Sequence, residues 1–319
     1  MAPERTRVVA LSGGVGGAKL ALGLSRVLGA GELMVLANTG DDFEHLGLSI
    51  SPDIDTLMYV LAGLDDTERG WGRRDETWHF MAALGALGGE TWFQLGDRDL
   101  ATHIERTRRL AAGESLSTVT ADFCRRLGIA SRIVPMTDDR VRTRLRTHEG
   151  WLDFQDYFVR RRCEPAVFEL AYDGAQVARA HPDVLAALRD PSLRAVVICP
   201  SNPFVSIDPI LAVPGMREAI SACAAPVVAV SPIIGGRAVK GPTAKIFAEL
   251  GLPAGAATVA RHYGDLIDGY VLDHADAACA RELGIPAAIT HTLMRKLEDR
   301  DMLARDVLAL ADRLAVMWR

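Results

Sequence analysis

The sequence is poor in aromatic residues, in cysteine and in positive charge. Its 319 residues are 6% aromatic and include 5 cysteines, and 36 basic against 41 acidic side chains give a net charge of −5. The cysteines are odd in number and form no C-x-x-C pair, which argues against both a disulfide framework and a zinc site. An acidic chain has no general attraction for a nucleic-acid backbone, so we expect no nucleic-acid partner.

Long apolar runs are missing as well. No window approaches the roughly 18 uncharged apolar residues of a membrane span, and the residues before Val8 include no apolar signal-peptide core. We therefore expect a cytoplasmic protein with no membrane partner. The H-E-x-x-H motif and the G-x-S-x-G elbow are also absent, which disfavours zinc-dependent hydrolysis and a serine nucleophile.

The apolar segments alternate between strand-like and helix-like patterns. Short apolar runs at 7–11 and 33–37 flank a helical pattern over 18–28, which is typical of a parallel βαβ unit. The same alternation returns later in the chain, where four more strands are predicted at 194–199, 226–230, 269–272 and 286–289.

The middle of the chain has a different pattern. Residues 65–189 are mostly helical in periodicity, with an arginine-rich stretch over 132–170 that alternates like short strands. We therefore predict an α/β fold, a Rossmann-like, doubly wound and mostly parallel sheet. Residues 1–64 and 190–319 would form this core, and residues 65–189 a mainly helical insertion or cap. Ligands of such folds bind at the carboxyl ends of the strands, so the loops after strands are the candidate binding sites.

Glycine is the abundant residue, with 29 copies. Four copies lie within five positions between the first strand and its helix: Gly13, Gly14, Gly16 and Gly17. Such a loop lets backbone N–H groups approach a phosphate, and Lys19 would add a positive charge. The spacing fits neither a Walker loop nor a dinucleotide fingerprint. We predict a phosphate site here, and the alternative is a tight turn that binds nothing.

A cluster of four aspartates within fifteen residues forms the second candidate site: Asp41, Asp42, Asp53 and Asp55. Packed carboxylates repel one another unless a cation neutralises them, and Mg²⁺ prefers oxygen ligands. We predict that at least one of them binds a metal or a substrate hydroxyl. The alternative is that Ser51 or Asp53 only caps the following helix.

Two further loops follow predicted strands, and one loop of the insertion contains a tryptophan. Ser201 and Asn202 either bind a ligand or close an Asx-type turn. Gly235 and Gly236 lie beside two cations, which suits an anionic group, although charged surface turns are common. Trp71 stands between two glycines and either anchors its loop or stacks on a planar ligand.

Taken together, these segments resemble the 2-phospho-L-lactate transferases of coenzyme F-420 biosynthesis. The resemblance is carried by collinear motifs that span most of the chain: LSGGVGGAK (11–19), NTGDD (38–42), SPDIDT (51–56), GWG (70–72), LGDRDLATH (95–103), PSNP (200–203), SIDPIL (206–211) and SPIIGG (231–236).

The resemblance implies a phosphotransferase-type reaction. A guanylylated donor would transfer a 2-phospholactyl, enolpyruvyl-phosphate or 3-phosphoglyceryl moiety to the terminal hydroxyl of the deazaflavin Fo, and GMP would leave. It also implies a Mg²⁺ cofactor and a homodimer. Under this resemblance Asp41 or Asp42, with Asp53 and Asp55, would hold Mg²⁺ and orient the attacking hydroxyl. The remaining assignments are Gly13, Gly14, Gly16, Gly17 and Lys19 at the diphosphate, Ser201 and Asn202 at the guanosine nucleotide, Gly235 and Gly236 at the donor, and Trp71 and Thr102 at the deazaflavin.

Two alternatives remain open at this point. A nucleotide-sugar-binding regulator of the same superfamily would share the glycine loop and the aspartate pair, but would not need the segments around Trp71, 97–99 and 206–211. A nicotinamide-dependent oxidoreductase is disfavoured by Lys19 and by Asn38, which stands where an acidic residue would close the second strand. No residue decides which three-carbon acid the donor carries.

Overall fold

Strands form at the short apolar runs, and helices form where apolar residues recur at helical spacing. The structure is a computed structural model that describes residues 6–239 and 241–317. Its strands are β1 (Val8–Ser12), β2 (Leu33–Ala37), β3 (Phe43–His45), β4 (Leu48–Ile50), β5 (Arg132–Pro135), β6 (Arg142–Thr147), β7 (Gly150–Asp153), β8 (Glu169–Asp173), β9 (Ala195–Ile198), β10 (Val227–Val230), β11 (Ile233–Ile234), β12 (Arg237–Ala238), β13 (Gly269–Asp273) and β14 (Ala287–Thr290). Its α-helices are α1 (Gly14–Val27), α2 (Pro52–Leu61), α3 (His79–Ala86), α4 (Asp97–Ala111), α5 (Leu116–Arg126), α6 (Pro182–Leu188), α7 (Asp208–Leu211), α8 (Met216–Ser221), α9 (Thr243–Glu249), α10 (Ala256–Tyr263) and α11 (Leu297–Met317).

The main sheet confirms the predicted Rossmann-like α/β fold. Within the described residues it has seven strands in the order β14-β13-β10-β9-β1-β2-β5, and all neighbours are parallel. In the central strand, Ala10 lies opposite Val35 on one side and Val197 on the other. From β1 the chain builds outward first through β2 and β5 and then, in the other direction, through β9. The strand order therefore reverses between β1 and β9, which is where such folds bind ligands.

Helices cover both faces of this sheet. On one face α1 packs against α2 and against α11, whose buried residues include Leu303, Val307, Leu310 and Leu314. The contact between α1 and α11 depends on Gly23, because a Cβ there would lie 2.1 Å from the Arg300 carbonyl oxygen. Among the described residues no helix is both long enough and apolar enough to cross a membrane.

The segment predicted as an insertion contains α3, α4 and α5 and a three-stranded antiparallel sheet in the order β7-β6-β8. It also contains β5, which returns to the main sheet and pairs with β2. The predicted division at residues 65 and 189 stays a prediction, since this segment supplies the edge strand of the parallel sheet. The arginine-rich pattern predicted strands in this region but did not indicate that one of them joins the core.

Candidate active site

The loops after β1, β2 and β9 meet at the point where the strand order reverses. The Gly13 amide donates a hydrogen bond to Ser201 Oγ (3.2 Å), and the same hydroxyl donates to the Gly13 carbonyl oxygen (2.7 Å). Asn38 follows β2, and its Nδ2 donates to Asp53 Oδ2 (2.9 Å) and to the Val205 carbonyl oxygen (3.2 Å). Segments far apart in the sequence are therefore hydrogen-bonded to one another at this edge of the sheet.

Packing explains most of the glycines in the first loop. A Cβ would lie within 2.5 Å of another atom at three positions: Gly13 (Ser206 Cβ, 2.5 Å), Gly16 (Pro200 O, 2.5 Å) and Gly17 (Ser12 Oγ, 2.4 Å). Gly14 has φ +66°, a conformation that side-chain-bearing residues rarely adopt. The fold thus requires these glycines whether or not the loop binds a phosphate, and their number alone does not indicate a phosphate site.

The N-terminus of α1 is closed by a carboxylate. Asp53 Oδ1 accepts a hydrogen bond of 2.6 Å from the Gly14 amide. A helix N-terminus combines unpaired N–H groups with partial positive charge, so it favours an anion at this position. The amides of Val15 and Gly16 have no acceptor among the described residues, and both residues are half-buried. This part of the turn is open to a second anionic group.

Three of the four aspartates form a buried cluster, called here the carboxylate cluster: Asp41, Asp42 and Asp53 are 6%, 7% and 5% exposed. Asn38 Nδ2 connects two of them, donating to Asp41 Oδ1 (3.2 Å) as well as to Asp53. Ser51 Oγ donates to Asp42 Oδ2 (2.8 Å). Asp42 Oδ1 is buried and has no hydrogen-bond partner among the described residues. This carboxylate oxygen is thus available to a cation, a water molecule or a ligand donor.

Burial raises the pKa values of all three carboxylates in the cluster. It raises the pKa of Asp42 to about 7, against the opposing charge of Arg142. It raises the pKa of Asp53 to about 6, against the hydrogen bonds that this carboxylate accepts. The pKa of Asp41 lies well above its ordinary value because burial is reinforced by repulsion from Asp53 and Asp42. Without a cation the cluster is therefore partly protonated near neutral pH, and a divalent cation would bind as these protons leave.

Asp55 lies outside the carboxylate cluster. Two positions along α2 from Asp53, it forms a two-point ion pair with the buried Arg106 of α4, with Asp55 Oδ2 3.0 Å from Arg106 Nη1. His103 lies between two acids, its Nδ1 3.6 Å from Asp55 Oδ2 and its Nε2 3.1 Å from Asp99 Oδ2. We call Asp55, Asp99, His103 and Arg106 the Arg106 network.

Metal-ligand geometry differs between the two groups of acids. Among the described residues, Asp55, Asp99 and His103 bring one ligand atom each within 4.8 Å of one another, whereas the carboxylate cluster does not converge so closely. The Arg106 guanidinium already neutralises Asp55, however, so a second cation at that network would be repelled. Mg²⁺ commonly takes only one or two protein carboxylates and completes its shell with water and substrate phosphates. Two carboxylates of the cluster are enough for such a site.

Asn202 closes an Asx-type turn, which the sequence suggested as the alternative to ligand binding. Its Oδ1 accepts from the amides of Phe204 (3.0 Å) and Val205 (3.4 Å). Its Nδ2 has no partner within the part of the chain that the structure describes. The side chain can therefore close the turn through Oδ1 and bind a ligand through Nδ2.

Gly235 and Gly236 form the two-residue turn of the β11–β12 hairpin. Their φ angles are +56° and +73°, as a type I′ turn requires of both central residues. The Gly235 amide donates to Asp276 Oδ2 (2.8 Å). The two glycines are therefore explained by the hairpin, and their predicted contact with the donor stays a prediction.

The other predicted binding residues lie apart from the carboxylate cluster. Lys19 Nζ donates to the Met294 carbonyl oxygen (3.1 Å). Thr102 Oγ1 accepts from the Tyr59 hydroxyl (2.9 Å) beside the Arg106 network. Trp71 is 47% exposed, and its ring meets Trp78 edge to face at 6.2 Å.

Sequence reasoning missed the residues that connect the site. Asn38 was considered only as a missing acid, yet it is fully buried and bonds Asp41, Asp53 and Val205. Its position directly after a buried strand is the signal that could have found it. Arg106 had no comparable signal, because nothing local distinguishes it from the other arginines of α4.

Comparison with known proteins gives consistent matches over the whole chain. Residues 8–292 match the sequence profile of the family described as 2-phospho-L-lactate transferase CofD. The chain is 44% identical to the phosphoenolpyruvate transferase of Kitasatospora aureofaciens, over 97% of this chain and 98% of that protein. It is 42% identical to that of Streptomyces coelicolor (96% and 98% covered) and 39% identical to that of Mycobacterium tuberculosis (89% and 94% covered).

A solved structure supports the fold. The crystal structure of a UPF0052 family protein from Bacillus halodurans superposes with a TM-score of 0.64, covering 95% of this chain and 99% of that one. The sequences are 13% identical, so this likeness concerns the architecture alone.

Proposed function

The chain belongs to the 2-phospho-L-lactate transferase family, and from this membership we propose that it transfers a phospho-carboxylic acid from a guanosine diphosphate donor to the terminal hydroxyl of the deazaflavin Fo, releasing GMP. The chain is thus a transferase of coenzyme F-420 biosynthesis. The observation that carries the proposed site is the buried carboxylate cluster at the point where the strand order reverses. Family membership also favours the transferase over the regulator and oxidoreductase alternatives.

The proposed donor is guanylylated phosphoenolpyruvate, which carries an enolpyruvyl-phosphate moiety. Its support is that relatives 39–44% identical to this chain bear the name phosphoenolpyruvate transferase. The 2-phospholactyl and 3-phosphoglyceryl donors differ from it in a double bond, a hydroxyl or the position of the phosphate, so they are the competing substrates.

The residues of the carboxylate cluster fit Mg²⁺. Asp41 and Asp53 are buried carboxylates that both accept hydrogen bonds from the side-chain amide of Asn38, and their oxygens suit this metal. Asp42 Oδ1 lacks a hydrogen-bond partner among the described residues. We assign Asp41 and Asp53 to the metal, which when bound would neutralise charge on the donor phosphates. Asp55 would have to leave its ion pair with Arg106 to act as a ligand, so its proposed role is to position α2.

Transfer forms a bond between the Fo hydroxyl oxygen and the phosphorus of the phospho-acid, and it breaks the bond from that phosphorus to the oxygen that leaves with GMP. Asp42, with a pKa of about 7, is suited to orient the hydroxyl and take its proton. The free amides of Val15 and Gly16 would donate hydrogen bonds to a phosphate oxygen of the substrate at the N-terminus of α1. The catalytic contribution is thus positioning and charge stabilisation, without a covalent intermediate.

Three finer assignments complete the proposal. Ser201 and Asn202 would meet the guanosine nucleotide, and Gly235 and Gly236 the donor. Trp71 and Thr102 would line the deazaflavin pocket. The working protein would be a cytoplasmic homodimer, and light scattering on the purified chain would measure its mass as twice 34.4 kDa.

Product mass tests the proposed donor. The chain is incubated with Fo, Mg²⁺ and each of the three guanylylated acids in separate reactions. We expect one equivalent of GMP per product and the fastest turnover with guanylylated phosphoenolpyruvate. Faster turnover of another donor would refute the donor assignment, and no product with any of the three would refute the transferase proposal.

A further inference from the structure

A cavity lies at the ends of α1 and α2 that are opposite the carboxylate cluster. Its volume is about 690 Å³, within the range of small-molecule sites. Leu22 of α1, Val60 of α2 and Leu297 of α11 contribute to its wall. Leu22 lies eight residues beyond Gly14, or about 12 Å along the helix axis. The cavity is therefore separate from the candidate active site.

Arg300 lines this cavity and is an unpaired buried charge. The residue is 7% exposed, and no hydrogen bond or ion pair to its guanidinium is formed by any described residue. Its Nε is fully buried without a partner. Arg106 differs, because that guanidinium, on a side chain only 1% exposed, has Asp55 as a two-point partner. A buried charge without a partner is strongly unfavourable, so a ligand that supplies one would be held here.

The position of Arg300 is set by helix packing. Its carbonyl oxygen lies only 2.1 Å from the position that a Cβ of residue 23 would take. The close approach of α1 and α11 at Gly23 therefore fixes the backbone from which the guanidinium extends. Arg26, the nearest lining arginine on α1, is already paired with Asp301 at 2.8 and 3.1 Å.

The remaining charges of the wall are the exposed Arg74 and a group of acids, and the acids restrict the size of the ligand. Four acids line the cavity and are half-buried or exposed, whereas Arg300 is buried: Asp65, Asp66, Glu68 and Asp75. Asp66 is used within its own turn, accepting from the amides of Glu68 (3.0 Å) and Arg69 (2.9 Å). A compact anion can reach the guanidinium past these acids, but a di- or triphosphate would place extra negative charge among them.

We propose that this cavity binds a small molecule with a compact oxyanion group, a phosphate or a carboxylate, through Arg300. The planar guanidinium can donate two parallel N–H bonds to either group. The proposal does not depend on the transferase reaction, since none of the cavity residues takes part in it.

Hydrogen–deuterium exchange of the full chain with inorganic phosphate, and separately with acetate, tests the proposal. We expect protection of residues 60–68 and 297–303, lost in Arg300→Gln and retained in Arg305→Gln. Arg305 is the matched control because it is an exposed arginine of the same helix outside the cavity. The probe that protects identifies the group as phosphate or carboxylate. Protection over residues 13–19 only, or none with either probe, would overturn the proposal.

Calorimetric titration of the protecting probe provides the second measurement. Arg300→Lys keeps a positive charge but loses the paired donors. Its Kd should therefore rise about tenfold, the factor expected from losing one charge-assisted hydrogen bond. A Kd unchanged in both Arg300→Lys and Arg300→Gln would show that the guanidinium does not hold the anion.

Discussion

Asp53 of α2 accepts a hydrogen bond of 2.6 Å from the amide of Gly14 at the start of α1. The two helices that begin at the candidate site are thus joined through their N-termini. Because Asp53 also accepts from Asn38 after β2, a single carboxylate touches the loops of two strands. A donor phosphate at the N-terminus of α1 would therefore lie next to the carboxylate cluster, as a metal-assisted transfer requires.

Replacing Asp53 by Asn should reduce the transfer rate by roughly 100-fold or more, a loss typical of removing one electrostatic contact to the reacting group. Saturating Mg²⁺ should not restore the rate, because the amide is a poor ligand. Steady-state GMP release checks this. Asp312→Asn is the matched control. Asp312 lies on α11 and forms an exposed ion pair with Arg194, so this variant should keep the wild-type rate. Equal rates for both variants would remove Asp53 from the site.

The stability of the metal-free protein should fall as pH rises from about 4 to about 7. The folded-state pKa of Asp42 is raised to about 7, against about 3.9 in an unfolded chain, so its contribution to stability is complete below the lower value and is lost as pH rises through the higher one. The two pKa units between pH 5 and pH 7 correspond to about 3 kcal/mol. Chemical denaturation at pH 5 and pH 8 measures the difference, and Asp42→Asn should reduce it.

Added Mg²⁺ should stabilise the protein more at pH 8 than at pH 5, because the carboxylate cluster binds the cation only after releasing protons. The rise in Tm on adding Mg²⁺, measured at the two pH values, checks this. An equal rise in Tm at both pH values would contradict the proposal that the cation binds as the cluster releases protons.

Breaking the Arg106 network should lower the free energy of unfolding of the protein. Arg106→Met leaves Asp55 buried without its partner, which costs about 3–5 kcal/mol in comparable pairs. Arg108→Met, at an exposed ion pair with Glu105 one turn away in the same helix, should change stability by less than about 1 kcal/mol. Urea denaturation compares the two. A small effect at Arg106 would mean that the pair is not formed.

The glycine loop should not tolerate alanine at Gly16. A Cβ there lies 2.5 Å from the Pro200 carbonyl oxygen, a backbone atom that cannot move without shifting the loop after β9. We expect a loss of about 1–3 kcal/mol. Gly85→Ala in α3 is the control, because its Cβ would lie 3.6 Å from Thr91 and alanine favours a helix. Thermal unfolding of both variants measures the contrast.

The main sheet could be predicted because its central strands are continuous apolar runs. That β5 belongs to this sheet could not be predicted. Its sequence is only Arg132–Pro135, with an exposed arginine at one end, and its place beside β2 depends on contacts distant in sequence. The acidic residues of the site were recognised from their density. The separation of Asp55 from the others depends on Arg106, 51 residues away, and no local pattern reports such a pairing.

The role of the glycines was the other part that sequence could not resolve. Phosphate binding and close packing both require glycine after a strand, and only the distances to Pro200 and Ser206 show that packing accounts for Gly16 and Gly13. The free amides of the turn, rather than the glycine count, now support the proposed phosphate contact.

The central claim is that the carboxylate cluster carries the transfer of the phospho-acid to Fo. The most direct measurement is single-turnover product formation from Fo and guanylylated phosphoenolpyruvate at saturating Mg²⁺, comparing the wild-type chain with Asp41→Asn. We predict that the wild type converts Fo with one equivalent of GMP released, while the variant binds Fo and forms product at least about 100-fold more slowly. Wild-type turnover by Asp41→Asn at saturating Mg²⁺ would contradict the account.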